Sequence, residues 1–177
     1  MDFIELLTYA PLPLMLIALV TTWKFENSRY FLALLLVVES VDELLYKTSL
    51  NWTTHHYLYV MVMNLAFMLP VFFRTNIAHS IYQSTKIGYF KRVSEQNHFA
   101  LQEIGLMILF LISFILHFVV YIEVWLYKWG VIDVLFIKNS IRPSVQTVLH
   151  ILMCFALLTY TINTPKREGF YNAKTEN

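Results

Sequence analysis

The chain has 177 residues, 58% of them apolar and 14% charged, with a formal net charge of +1 and a mean hydropathy of +0.56. Soluble domains run near 45–50% apolar and about 25% charged; a fold of this length cannot hide the excess, which must face lipid. The same figures exclude a disordered chain, a basic nucleic-acid binder and, with one cysteine, a disulfide-stapled secreted domain.

A bilayer crossing takes about 20 predominantly apolar residues. Five segments qualify: residues 3–23, 30–50, 57–73, 104–127 and 144–163. The first opens Met1-Asp2-Phe3-Ile4-Glu5, without the basic start of a signal peptide. Pro11 and Pro13 are predicted to bend its beginning, since each removes a backbone donor. The second is interrupted by Glu39, Asp42 and Glu43, yet Phe31 to Val38 is continuously apolar. The third is short and contains Pro70; Ile77 and Ile81, one helical turn apart, extend its periodicity past Arg74.

Residues 76–102 make the one long loop, polar and basic. Within it Lys86-Ile87-Gly88-Tyr89-Phe90-Lys91-Arg92 reads as a surface segment, aromatics at the headgroups and cations toward anionic lipid or a cytosolic protein partner. The plainer reading is a loop that obeys the positive-inside rule. Residues 128–143 form its outer counterpart; Val131 to Ile137 is too short to span and is expected in the interface. Residues 164–177 are a polar tail, with the helix expected to stop at Pro165.

The fold class is therefore all-α: a polytopic membrane helix bundle over residues 1–163, with five transmembrane helices, or four if the first lies in the interface. With the N-terminus outside and the C-terminus inside, nine of the thirteen Lys and Arg fall in cytoplasmic segments. Trp23, Trp52, Trp125 and Trp129 sit at span ends, where such rings prefer the headgroup level. Asn51-Trp52-Thr53 is a glycosylation sequon on the outer side, a weak signal of three residues. The expected location is a plasma membrane or a bacterial inner membrane.

The sharpest chemical signal is in the second span. At 100° per residue, with Glu39 at zero, Glu43 lies at about +40°, Asp42 at about −60° and Tyr46 at about −20°. All share one face. Ionised acids at that depth are costly and repel one another, so protonation, water, a bound cation or basic partners must compensate. Lys47, four residues beyond Glu43, can pair with it near the outer surface. Polar rows also run along the fourth span, Ser113, His117 and Tyr121, and the fifth, Gln146, His150 and Cys154; Asn64 stands in the third. Asn64, Asp42, Glu43 and His117 fall near one depth, with His150 slightly further out. The expected ion or proton pathway is thus Glu39, Asp42, Glu43, Asn64, His117 and His150. For the neutral residues the plainer reading is helix–helix hydrogen bonding, and for Cys154 a small buried apolar residue.

Three functions compete. The first is an ion- or proton-responsive channel or sensor, expected as a homo-oligomer because five spans enclose little room for a pore. The second is a non-catalytic membrane subunit of a multi-component system, in antiviral defence, secretion immunity or envelope stress sensing, recruiting a cytosolic partner through residues 76–102. The third is a haem- or metal-binding membrane enzyme using His117 and His150. No phosphate loop, serine-nucleophile motif or paired-cysteine site is present, so no catalytic residue is assigned and no cofactor is favoured. Direct nucleic-acid binding is not expected.

Overall fold

The computed structural model describes residues 10–96 and 98–175, with side chains through residue 164. Of the described residues 85% are helical and none lies in a strand. The helices are α1 (Pro11–Thr21), α2 (Glu26–Leu50), α3 (His55–Phe72), α4 (Arg74–Thr85), α5 (Gly88–Glu95), α6 (Leu101–Lys128) and α7 (Arg142–Thr175), the last preceded by a π-helical turn, Ile137–Ile141. Three stretches are long and apolar enough to cross a membrane: His55–Phe72, Leu101–Lys128 and Ile137–Thr164. α1 is apolar but shorter. α2 has the length, about 37 Å at 1.5 Å per residue, but its acids and Lys47 hold down its hydropathy.

Local chemistry explains several boundaries. Pro11 occupies the start of α1, where its missing N–H would have had no helical partner. Residues 3–9 of the expected first span, and with them the bend expected at Pro11 and Pro13, lie outside the described residues. Pro70 falls in the last turn of α3, and the chain bends at Phe73 before resuming as α4. Bonds from Phe73 N to Leu69 O (2.9 Å) and from Ile77 N to Phe73 O (3.0 Å) carry the ladder across the bend. The continuation expected from Ile77 and Ile81 is present in that form. Pro165 does not end α7, which runs on to Thr175: one proline removes one donor, and the bonds on either side hold the helix.

α1, α2, α3, α6 and α7 close a ring in that order, each packed against the two beside it, with α7 returning to α1. α4 and α5 form a hairpin at one end, and α5 leans on the start of α2. The core at that end joins Met15 and Ala18 to Phe31, Leu32, Leu35, Phe67, Leu106, Leu157 and Tyr160. Phe31 sits edge-on to Phe67 (centroids 5.4 Å apart) and stacks on Tyr160 (5.8 Å). A smaller cluster of Tyr57, Val120 and Val124 closes the other end. The outward faces of α6 and α7 are apolar and exposed, with Ile108, Ile112, Ile115, Phe155 and Ile162 among them. That is an inside-out surface suited to lipid.

Two acids that the composition hides among hydrophobic runs hold the ring together. Glu103 and Arg74 are each 1% exposed. Glu103 Oε2 accepts from Arg74 Nη1 (3.4 Å) and from Ala100 N–H (3.0 Å), and its Oε1 accepts from the Tyr160 hydroxyl (3.0 Å). Arg74 Nη2 donates to His98 O (2.7 Å), and the guanidinium lies 4.7 Å over the Phe99 ring. Glu123, also buried, accepts the N–H groups of Ile137 and Lys138, both at 2.7 Å. It thereby caps the π turn that leads into α7.

Candidate functional site

Four helices of the ring turn polar side chains onto one half-open cavity of about 90 Å³. α2 contributes Glu39 and Asp42, α3 contributes Asn64, α6 contributes Ser113, and α7 contributes Gln146 and His150. Val38, Met63, Phe110 and Met153 supply apolar wall. This volume admits several waters. No Lys or Arg is among its lining residues. Each polar residue arrives for a periodic reason: Glu39 and Asp42 are three apart on α2, and Gln146 and His150 four apart on α7, so each pair shares a helix face.

The cavity wall is partly wired. Asn64 Nδ2 donates to Ser113 Oγ (3.3 Å), joining α3 to α6. Gln146 Nε2 and His150 Nε2 are 3.4 Å apart, with the amide donating. Asp42 Oδ1 and Gln146 Oε1 are buried without a hydrogen-bond partner within the described chain. Tyr59, from α3, stands beside Asp42. The carboxylates of Glu39 and Asp42 and the unpaired Gln146 Oε1 make this a site for a hydrogen-bond donor or a positive charge.

Of the six residues expected along an ion pathway, Glu39, Asp42, Asn64 and His150 meet here. His117 does not line the cavity. It lies one turn from Ser113, buried, and its Nδ1–H donates to the Ser113 carbonyl (2.8 Å), which assigns the ring proton to Nδ1. Its ring centroid is 6.3 Å from that of Tyr57, over which the Arg142 guanidinium sits at 5.2 Å. Glu43 also lies outside the cavity: it is exposed, and it makes no ion pair with Lys47 among the described residues. Wheel angle placed Glu43 on the acidic face, but the neighbouring helices cover only the side nearer Asp42. Ser113, which makes the expected helix–helix hydrogen bond with Asn64, and Gln146 line the cavity as well.

The expected docking segment divides. Arg92 Nε pairs with Glu26 Oε1 (2.6 Å), the Tyr89 hydroxyl donates to Glu26 O (3.3 Å), and the Arg29 guanidinium lies 4.3 Å over the Tyr89 ring and 5.1 Å over Trp23. These two residues latch α5 to α2. Burial pushes the Tyr89 hydroxyl above the ordinary tyrosine range, against the opposing pull of Arg29. Lys86, in the left-handed conformation that ends α4, and Lys91 stay exposed; Phe90 is half-buried.

Among the described residues no group of three or more His, Cys, Asp or Glu is arranged to hold a metal ion. Compared with known proteins, the chain matches no family, no curated protein and no solved structure. The fold and the cavity define a helical bundle with the surface of a membrane protein and a polar, acid-bearing interior.

Proposed function

We propose that this chain is a five-span membrane protein, N-terminus outside and C-terminus inside, that conducts or responds to protons or small cations through its acidic cavity and works as a homo-oligomer. The observation that carries this reading is the convergence of Glu39 and Asp42 with Asn64, Ser113, Gln146 and His150 on one cavity free of lining cations. Ionisable groups within a bundle mark ion or proton paths more often than packing requirements. The Lys and Arg distribution and the four tryptophans at span ends support the orientation and a plasma or bacterial inner membrane. α2 then counts as a span despite its acids: Glu39 and Asp42 turn toward the ring interior, and Glu43 alone stays exposed.

The test is flux of protons and monovalent cations across liposomes containing the purified protein, against Glu39→Gln. The amide keeps the shape and removes the charge. Loss of flux, or of its pH response, is expected; identical behaviour would sink the reading.

A second reading, a non-catalytic subunit recruiting a cytosolic protein through residues 76–102, is favoured by the α4–α5 hairpin, which exposes Lys86, Ile87 and Lys91 together. Under it, Lys91→Ala abolishes partner capture and leaves liposome flux unchanged.

A further inference from the structure

We infer that the cation taken up by the cavity is a small primary alkylammonium of two or three carbons, which rests on the proposed reading of the cavity as a cation site and not on conduction through it. The cavity has two chemically distinct sides. The polar side offers the carboxylates of Glu39 and Asp42 and the amide of Gln146, and the apolar side offers Met63, Phe110 and Met153. Gln146 Nε2 spends a donor on His150 Nε2 (3.4 Å), which leaves its Oε1, buried and unpartnered, as an acceptor. Neither Glu39 nor Asp42 makes an ion pair among the described residues.

Volume and wall chemistry select among cations. A cation that kept about six waters, at about 30 Å³ each, would need about twice the volume of this cavity. One that shed its waters would need oxygens on every side, and Met63, Phe110 and Met153 supply none. An –NH3+ group asks for acceptors on one side only. Its three N–H donors match the Glu39, Asp42 and Gln146 oxygens, and its carbons meet the apolar side, gaining from each methylene withdrawn from water. About 90 Å³ corresponds to about three waters, which is room for a nitrogen and two or three carbons.

The experiment is isothermal titration calorimetry on the full chain in phosphatidylcholine nanodiscs, with empty nanodiscs subtracted. The probes are the chlorides of methyl-, ethyl-, propyl- and pentylammonium, of tetramethylammonium and of potassium. Affinity is expected to rise about fourfold per methylene from methyl- to propylammonium, and to fall at pentylammonium, which exceeds the cavity. Tetramethylammonium, with no N–H to donate, should not bind. Asp42→Asn should weaken propylammonium about 10–100-fold, the loss of a hydrogen bond to a charged group. The ammonium assignment is overturned by heat from none of the probes, by an affinity flat across the series and equal for tetramethylammonium, or by potassium binding that propylammonium does not displace. Propylammonium binding unchanged in Asp42→Asn would put the ligand outside the cavity and overturn it as well. Asp42-dependent propylammonium binding beside liposome flux insensitive to Glu39→Gln would uphold the ligand and refute conduction alone.

Discussion

Replacing Glu103 by alanine should cost this protein more than any change at the cavity. The carboxylate holds Arg74 Nη1 at 3.4 Å, the Ala100 N–H at 3.0 Å and the Tyr160 hydroxyl at 3.0 Å, so one side chain ties α4, α6 and α7 together. Both charged partners are 1% exposed. Removing one member of a buried pair leaves the other charge uncompensated, at about 3–5 kcal/mol. Loss of the Ala100 contact at the start of α6 and of the tyrosine's acceptor falls largely within that figure, since contacts of one network are not additive. For chains of this size each kcal/mol moves Tm by about 2–4 °C, so Glu103→Ala should melt about 6–20 °C lower. The assay is thermal unfolding in detergent micelles, followed by tryptophan fluorescence. The double variant Arg74→Met with Glu103→Leu removes both charges and should melt above the single variant, because no charge is then stranded. A Glu103→Ala Tm within about 2 °C of the parent, or a double variant worse than the sum of its parts, would refute the argument.

Other outcomes follow from the same geometry. Glu123→Ala removes two short charge-assisted bonds to Ile137 and Lys138 and should cost about 2–4 kcal/mol, with Glu123→Gln losing less; hydrogen exchange should show these two amides losing protection first. Arg92→Ala opens an ion pair whose Arg side chain is 57% exposed, so global stability should change by less than about 1 kcal/mol. Trypsin should nevertheless cut after Lys91 faster as α5 leaves α2, and an unchanged cutting rate would count against the latch. The Tyr89 hydroxyl, held protonated by burial, contributes stability that is complete below the ordinary tyrosine range and lost as pH rises through its raised value. Tyr89→Phe should remove one late-ionising phenol from the alkaline absorbance titration.

Helical periodicity made much of this protein legible. An excess of apolar residues with few charges has one physical outlet, a surface facing lipid. The 3.6-residue repeat is local, so α2, α3, α6 and α7 could be located from runs of hydrophobicity, and the pairing of Glu39 with Asp42, or of Gln146 with His150, from spacing along one helix. What periodicity cannot supply is the azimuth of one helix relative to another. Glu43 and His117 had the right depth, yet the packing of α3 and α6 leaves Glu43 outside the cavity and turns His117 back onto its own helix.

The buried pair of Arg74 and Glu103 shows the same limit. They are twenty-nine residues apart and each reads as an ordinary charge near the end of a span. A glutamate three residues after Ala100, at the start of an apolar run, is half of a capping signal and could have been noticed; its arginine partner could not. By itself the sequence determined that the chain is helical, that its surface is apolar, and which residues share a face, because these depend on bonds and periods within a few turns. Only the tertiary structure decided which four helices turn their polar faces to a common cavity, which charges are buried against each other, and which acid remains outside. Those depend on the ring order of the helices and on rotations about their axes, set by the fit of side chains such as Phe31, Phe67 and Tyr160 that lie far apart in the chain.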